Sequence, residues 1–193
     1  MSSVAKAIET QYAGCRFRSR LEARWAVFFD NLGIGLGWEY EKEGYQFGDG
    51  SRYLPDFWIP SRKLWVEIKG SPHPKEDDIY AAEQLHYATT FPVLMAFGLP
   101  MSTPMKLFCT DSSNSGSGVS WWHECEWAAT GSFGLKVDVG PSGFSSVFMN
   151  SDYSIAHAIG SDCDRQFDEV LEYAAVAAKS ARFEFGESGW SQR

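Results

Sequence analysis

The chain has 193 residues, of which 44% are hydrophobic and 16% aromatic, enough to build one packed core. The apolar run at residues 92–101 is too short to cross a bilayer, and residues 1–12 lack the apolar segment of a secretion signal. We therefore expect a soluble, cytoplasmic protein and exclude a membrane-spanning one.

The formal net charge of −8 is unevenly distributed. Residues 1–75 contain 11 of the 17 Lys and Arg and 9 of the 25 Asp and Glu, a balance of +2. That leaves 6 basic and 16 acidic residues, a balance of −10, for residues 76–193. A polyanion would bind the first part, whereas the acidic remainder favours a protein partner.

The first predicted element is a helix at residues 19–32, where apolar side chains recur at helical spacing. Ser19 is a typical N-cap and Gly33 a typical stop. Residues 37–47, GWEYEKEGYQF, then predict a strand and a turn into a second strand. Residues 52–59 and 63–70 predict two further strands, which a short turn joins.

Two prolines precede a second predicted helix at residues 75–89 and a buried strand at residues 92–98. The polar residues 111–118 predict a flexible loop, and the alternation in residues 119–149 predicts a small β appendage. A last helix is predicted at residues 164–182. Its apolar stripe consists of Phe167, Val170, Leu171, Ala174 and Ala178.

This order of elements predicts an α/β (α+β) fold, in which a mixed β-sheet is flanked by helices. We expect a core at residues 1–100. Residues 101–193 would form an acidic extension, made of the β appendage and the C-terminal helix and packed on the core.

The hairpin of the third and fourth strands carries three charges among apolar residues. If residues 61–62 form the turn, cross-strand partners have numbers that sum to 123, so Asp56 lies opposite Glu67. Lys69 shares a strand face with Glu67, whereas Val66 points to the other face. Opposed carboxylates lie about 5 Å apart and repel unless a proton or cation intervenes. Magnesium suits two such oxygen ligands.

The motif Pro55-Asp56 followed by Glu67-Ile68-Lys69 resembles that of the PD-(D/E)XK nuclease superfamily. The predicted order αβββαβ also resembles the restriction-endonuclease-like core of that superfamily, and Glu22 occupies the place of a glutamate that many members carry on the first helix. The resemblance spans residues 16–98 and extends to a group of phage and mobile-element proteins.

The resemblance implies a Mg²⁺-dependent (or Mn²⁺-dependent) endonuclease that hydrolyses DNA, in the bacterial host cell if it is phage-encoded. Asp56, Glu67 and the backbone carbonyl of Ile68 would bind the metal, and Glu22 would reach it directly or through water. Lys69 would orient or help deprotonate the attacking water. These five residues form the predicted catalytic and metal-binding site.

Several alternatives remain open for the same residues. Ser19-x-x-Glu22 is also a capping box, in which Glu22 would bond the N-cap N–H. Glu67 and Lys69 also fit an ion pair on a solvated strand face. At the level of the whole protein, the alternatives are a catalytically inactive nuclease fold that binds DNA or a protein partner, and a nicking or resolving subunit that needs partners.

Further candidates lie outside the motif. The candidate phosphate contacts, with a solvated helix entrance as the alternative, are Arg16, Arg18, Arg20 and Arg24. Gln84 is a candidate accessory residue and otherwise faces solvent. The spacing of the candidate zinc ligands disfavours zinc. Those ligands are Cys109, His123, Cys125 and Cys163. DNA is the expected partner, and a homodimer is left open.

Overall fold

The computed structural model describes residues 7–32, 37–110, 120–130, 132–138, 144–149, 155–158 and 168–183. Three helices lie in these ranges: α1 Arg20–Asn31, α2 Glu76–Thr89 and α3 Asp168–Ser180. The strands before α2 are β1 Thr10–Tyr12, β2 Cys15–Phe17, β3 Glu39–Tyr40, β4 Tyr45–Gln46, β5 Arg52–Tyr53, β6 Phe57–Ile59 and β7 Leu64–Lys69. The strands after α2 are β8 Val93–Phe97, β9 Met105–Thr110, β10 Ser120–Thr130, β11 Ser132–Asp138, β12 Phe144–Met149 and β13 Ile155–Ala158.

Nine of the described strands form one sheet in the order β13-β12-β11-β10-β9-β8-β7-β6-β3. The pair β7–β8 is parallel and the other neighbours are antiparallel, so the sheet is mixed. Helix α2 makes the crossover between the parallel strands, as such a connection requires. The predicted α/β (α+β) class, a mixed sheet flanked by helices, is confirmed.

The sheet packs against helices on both faces. Alternate residues of β7 point to opposite faces, so Val66 joins a cluster with α1 and α3, whereas Trp65 joins a second cluster with α2. The helical residues of the first cluster are Ala23, Trp25, Ala26, Val27, Phe28, Phe29, Leu171, Ala174, Ala175 and Ala178, and those of the second are Ala82 and Leu85. Glu67 and Lys69 alternate with Val66, so they lie on the α2 face.

Helix α1 begins where the sequence predicts. Ser19 has an extended backbone, and its Oγ accepts a hydrogen bond from the N–H of Glu22 at 3.2 Å, which is the bond of an N-cap. The helix ends at Asn31, with Leu32 as its C-cap. The predicted stop, Gly33, lies outside the described residues.

The prediction of one strand at residues 52–59 is wrong. Strand β5 pairs with β4 in a separate two-stranded sheet, whereas β6 pairs with β7 in the main sheet. The interruption contains Pro55, which has no N–H to donate to a ladder. Asp56 follows it and lies just before the strand resumes.

A hairpin of β1 and β2 was not predicted. Tyr12 pairs with Cys15 across the two-residue turn Ala13-Gly14, and both turn residues have positive φ, 47° and 80°. Two positive φ angles characterise the type I′ turn that joins antiparallel strands. The glycine between two short alternating runs is the sequence signal for this turn.

Beyond residue 100 the main sheet continues through β9–β13, and α3 packs beside α1. Leu171 and Ala174 are buried as predicted, but Val170 is exposed. The predicted loop at residues 111–118, the start of the predicted last helix and Phe167 lie outside the described residues. The division into a core and an extension stays a prediction. No helix of the described ranges has both the length and the apolar character to cross a membrane.

Candidate active site

The hairpin register brings the two motif carboxylates together. Phe57 pairs with Val66 and Ile59 with Leu64, so partner numbers sum to 123 as predicted. Asp56 therefore comes opposite Glu67, and the Asp56 N–H lies 3.4 Å from Glu67 Oε2. Both residues are buried, at 2% and 5% exposure. The prediction that both carboxylates lie on one face is confirmed.

Asp56 also extends the hydrogen bonding of the hairpin past the end of β6. Its Oδ2 accepts a hydrogen bond from the backbone N–H of Ile68 at 2.7 Å. Within a strand, the N–H and the C=O of one residue point to the same side. The backbone carbonyl of Ile68 therefore points to the strand edge at which Asp56 lies, where the predicted ligand set requires it.

The electrostatics around Asp56 favour a cation. Burial and the neighbouring Glu67 carboxylate, with a smaller contribution from Glu22, raise the pKa of Asp56 well above its ordinary value. The Ile68 N–H and the Arg18 guanidinium act in the opposite direction without cancelling the rise. A divalent cation between the carboxylates would relieve the same repulsion, so the pair of carboxylates fits a metal ion.

Lys69 lies on the same face as Glu67, as predicted. Its Nζ is 2.8 Å from Glu67 Oε1 and 2.8 Å from Asp78 Oδ1. Burial lowers the pKa of Lys69, but the two carboxylates raise it by more, so the ammonium stays protonated. Asp78 was not predicted. Its position in the first turn of the helix after the motif is the only sequence signal for it.

Glu22 makes the contacts of a helix cap and lies near Asp56. Its Oε1 accepts a hydrogen bond from Ser19 Oγ at 2.7 Å. Its Oε2 accepts bonds from the N–H of Arg18, at 3.1 Å, and from the hydroxyl of Tyr40. Glu22 thus caps the chain that enters α1, although it bonds the N–H of Arg18 rather than that of Ser19. It also contributes to the field at Asp56.

Arg18 lies among the carboxylates. One of its terminal nitrogens contacts Asp56 Oδ1, and its Nε is 2.8 Å from Glu41 Oε1 and 4.0 Å from Glu22 Oε2. Partial burial lowers the pKa of Arg18, but the Tyr40 hydroxyl and the carboxylates raise it by more. The net shift is upward, so the guanidinium is charged. Arg18 was predicted as a candidate phosphate contact, with a solvated helix entrance as the alternative, whereas Tyr40 and Glu41 were not predicted.

Tyr53 is a further residue that was not predicted. It lies on β5, the strand that separates from β6 before the motif. Burial and then the Glu67 carboxylate raise the pKa of its hydroxyl well above the ordinary value, with smaller contributions from Asp56 and Asp78. The hydroxyl is therefore a neutral proton donor beside the site.

The four arginines differ in their surroundings. Arg16, on β2, pairs with Glu9 at an exposed position. Arg20 and Arg24 lie on α1, where Arg24 is half-buried and its Nε has no hydrogen-bond partner among the described residues. Arg18, which precedes the helix, contacts Asp56. The role of this set in phosphate binding stays a prediction.

Gln84 lies on α2, six residues after Asp78, which corresponds to about 9 Å along the helix axis. It is half-buried, and in the described part of the chain it has no hydrogen bond with Asp56, Glu67 or Asp78. Its accessory role stays a prediction.

Two of the zinc candidates lie in an apolar cluster. Cys109 and Cys125 are buried in the apolar cluster that α1 and α3 share, and Cys163 lies outside the described residues. Among the residues that the structure describes, no group of three or more His, Cys, Asp or Glu side chains is arranged to hold a metal ion. A site at Asp56 and Glu67 would therefore start from two side chains and a backbone carbonyl, and Glu22, water or substrate oxygens would complete it.

Comparison with known proteins does not identify the chain: no protein-family model matches it, and no curated protein matches it. The resemblance to PD-(D/E)XK nucleases therefore rests on the motif residues and on the order of the elements. Around the motif, the helices and the strands of the main sheet follow one another as α1, β3, β6, β7, α2 and β8, with β4 and β5 of a separate two-stranded sheet between β3 and β6.

Proposed function

We propose that this protein is a metal-dependent endonuclease that hydrolyses DNA phosphodiester bonds, in a phage or mobile-element setting. The observation that carries the proposal is the placement of buried Asp56 beside buried Glu67, with the Lys69 ammonium 2.8 Å from Glu67. Asp56 is a second buried carboxylate beside Glu67, and the exposed guanidinium of Arg18 contacts it. Two adjacent buried carboxylates are costly unless a cation offsets both charges.

The residues that would hold Mg²⁺ or Mn²⁺ are Asp56, Glu67 and the backbone carbonyl of Ile68, with Glu22 reaching the cation directly or through water. When bound, such a cation makes a water more acidic and neutralises charge on the phosphate. The hard oxygen ligands of this group suit Mg²⁺ and Mn²⁺.

The remaining chemistry belongs to the side chains. Lys69 stays protonated, so its ammonium can donate hydrogen bonds to the attacking water and to a phosphate oxygen. Asp78 also contacts this ammonium, at 2.8 Å, and thereby helps to position it. Tyr53 offers a neutral hydroxyl on the same side of the sheet.

DNA is the proposed partner of the first part of the chain, where the charge balance is positive. The acidic remainder is a proposed surface for a protein partner, because like charges keep a polyanion away from it. A homodimer would supply two such sites for the two strands of a duplex.

One observation favours a second candidate, a catalytically inactive nuclease fold that binds DNA or a protein partner. Arg18 contacts Asp56 Oδ1 directly, so a permanent ion pair would occupy the position of the cation. Such a protein would retain binding and lack cleavage.

The test is a cleavage assay with Mg²⁺ or Mn²⁺ on linear, supercoiled and branched DNA. Wild type is compared with Asp56→Asn, Glu67→Gln and Lys69→Met. Glu124→Gln, an exposed carboxylate on β10, is the matched control. We expect cleavage by wild type and the control and loss of it in the three site variants. Equal cleavage by all proteins would refute the site. A wild type that binds DNA but neither cleaves it nor binds Mn²⁺ would favour the inactive fold.

A further inference from the structure

The guanidinium of Arg18 contacts the oxygen of Asp56 that the fold leaves available. Asp56 Oδ2 is engaged by the Ile68 N–H at 2.7 Å, whereas Oδ1 is contacted by the terminal nitrogen of Arg18. The Nε of the same guanidinium is 2.8 Å from Glu41 Oε1. A cation that binds Oδ1 would therefore meet Arg18 at this position.

The backbone of Arg18 is held in place, but its side chain is not enclosed. The Arg18 N–H is 3.1 Å from Glu22 Oε2 and 3.1 Å from the Tyr40 hydroxyl oxygen, which fixes the main chain. The Arg18 side chain is nevertheless 53% exposed to solvent, whereas the Asp56 side chain is 3% exposed. The guanidinium can therefore leave Asp56 by rotation of the side chain alone, with the main chain unchanged.

We propose that Arg18 is an internal counterion of the metal-free site, that it competes with the divalent cation for Asp56, and that metal binding releases its guanidinium to bind a phosphate of the DNA. The proposal rests on the proposed function and adds a regulatory step to it. Two cations on one carboxylate oxygen repel each other, which supplies the physical reason for the exchange.

The exchange couples metal binding to DNA binding. Before the metal binds, the carboxylates hold Arg18 and the site presents little positive charge to DNA. After the metal binds, the site gains both the cation and the released guanidinium, so the affinity for DNA rises. Linkage requires that DNA raise the affinity for the metal by the same factor. A guanidinium also matches the geometry of a phosphate better than an ammonium does.

The first experiment measures Mn²⁺ binding by calorimetry without DNA. Arg18→Gln removes the competing charge, so we expect it to bind Mn²⁺ about tenfold more tightly than wild type, a factor typical of coupled sites. Arg16→Gln removes the same charge two residues away, where Arg16 pairs with exposed Glu9, and should bind Mn²⁺ as wild type does. Arg18→Lys keeps the charge but loses the planar set of guanidinium donors, so it should bind Mn²⁺ with an intermediate affinity. It serves as the test if Arg18→Gln does not fold.

The second experiment measures the affinity for a labelled duplex with and without Mn²⁺, in the Lys69→Met background so that cleavage does not intervene. Mn²⁺ should raise the affinity several-fold with Arg18 present and less with Arg18→Gln. If Arg18→Gln binds Mn²⁺ no more tightly than wild type, while Glu67→Gln abolishes binding, the exchange is refuted and the metal site stands. If neither wild type nor Arg18→Gln binds Mn²⁺, both proposals fail.

Discussion

Asp56 takes the place of a ladder partner for Ile68: its Oδ2 accepts the backbone N–H of Ile68 at 2.7 Å, beyond the last pair of strand β6. The bond holds the carboxylate at the point where Pro55 has interrupted the strand. It also orients the other oxygen away from the ladder, toward Arg18. The interruption at Pro55 therefore ends the strand and also places the Asp56 carboxylate.

The raised pKa of Asp56 predicts how stability depends on pH without metal. Above the ordinary pKa of about 4, the unfolded chain loses a proton that folded Asp56 retains. The contribution of Asp56 to the free energy of unfolding therefore falls as pH rises, by about 1.4 kcal/mol for each tenfold difference in proton affinity. Urea unfolding at pH 5 and pH 8 measures this fall.

Asp56→Asn should reduce that fall, and Mn²⁺ should oppose it in wild type, because an ion between the carboxylates stabilises their charged forms. The difference between wild type and the variant isolates Asp56 from the other titrating groups. Parallel stability curves for the two proteins would contradict the prediction.

Lys69 and Asp78 should differ in their effects on cleavage. Lys69→Met removes the ammonium itself, so the rate constant should fall at least about 100-fold. Asp78→Asn leaves the ammonium bonded to Glu67 at 2.8 Å and should lower the rate about tenfold. Single-turnover cleavage with saturating Mg²⁺ measures both. If Asp78→Asn is as severe as Lys69→Met, Asp78 does more than position the lysine.

Ser19 and Glu22 allow the cap to be separated from the site. Ser19→Ala removes the hydrogen bond that the Glu22 N–H donates to Ser19 Oγ and should cost about 1 kcal/mol of stability, with cleavage retained. Glu22→Gln keeps that bond but replaces a carboxylate oxygen that accepts bonds from neighbouring donors, so it should cost stability as well and, unlike Ser19→Ala, lower Mn²⁺ affinity. Chemical unfolding and calorimetry measure the two effects. A Glu22→Gln protein with normal Mn²⁺ affinity would assign Glu22 to capping alone.

The Tyr40 hydroxyl should stabilise the fold through Glu22. Tyr40→Phe leaves the Glu22 carboxylate without this donor and should cost about 1 to 3 kcal/mol, as expected for a partly buried bond to a charged group. Tyr45→Phe is the matched control, because its hydroxyl bonds exposed Glu43 at 2.6 Å. The control should change stability by less than about 0.5 kcal/mol. Equal losses in thermal unfolding would argue against a special role for Tyr40.

The packing of α3 can be tested at Ala178, which is fully buried in the cluster shared with α1. Ala178→Leu should destabilise the protein by about 1 to 3 kcal/mol through overpacking. Val176→Leu, on the exposed side of the same helix at 63% exposure, is the control and should be nearly neutral. Global urea unfolding measures both, and a neutral Ala178→Leu would show that α3 does not pack on α1 in solution.

The register of the motif hairpin could be predicted because it depends on local information. Alternation along a strand places Glu67 and Lys69 on one face. A short turn fixes the sum of cross-strand partner numbers at 123, which places Asp56 opposite Glu67. The length of the preceding strand could not be predicted in the same way. Residues 52–59 have strand character on both sides of Pro55, and β5 pairs with β4 rather than with β7.

The partners of the motif charges were also outside the reach of the sequence. Arg18 contacts Asp56 from 38 positions away, and Tyr40 contacts Glu22 from 18 positions away. Side-chain contacts of this kind depend on how a helix packs on a sheet, and no periodicity encodes them. The closest signal was the position of Arg18 just before the predicted cap.

By itself the sequence determined the helices, the mixed sheet and the meeting of Asp56 with Glu67, since these follow from periodicity and from one short turn. Only the tertiary structure decided which charges surround that pair. The packing of α1 against the sheet brings Glu22 and Arg18 to the pair, and α2 brings Asp78 to Lys69. The physical reason is that periodicity records which face of an element is apolar, whereas charge pairing depends on distances that exist only once the elements have packed.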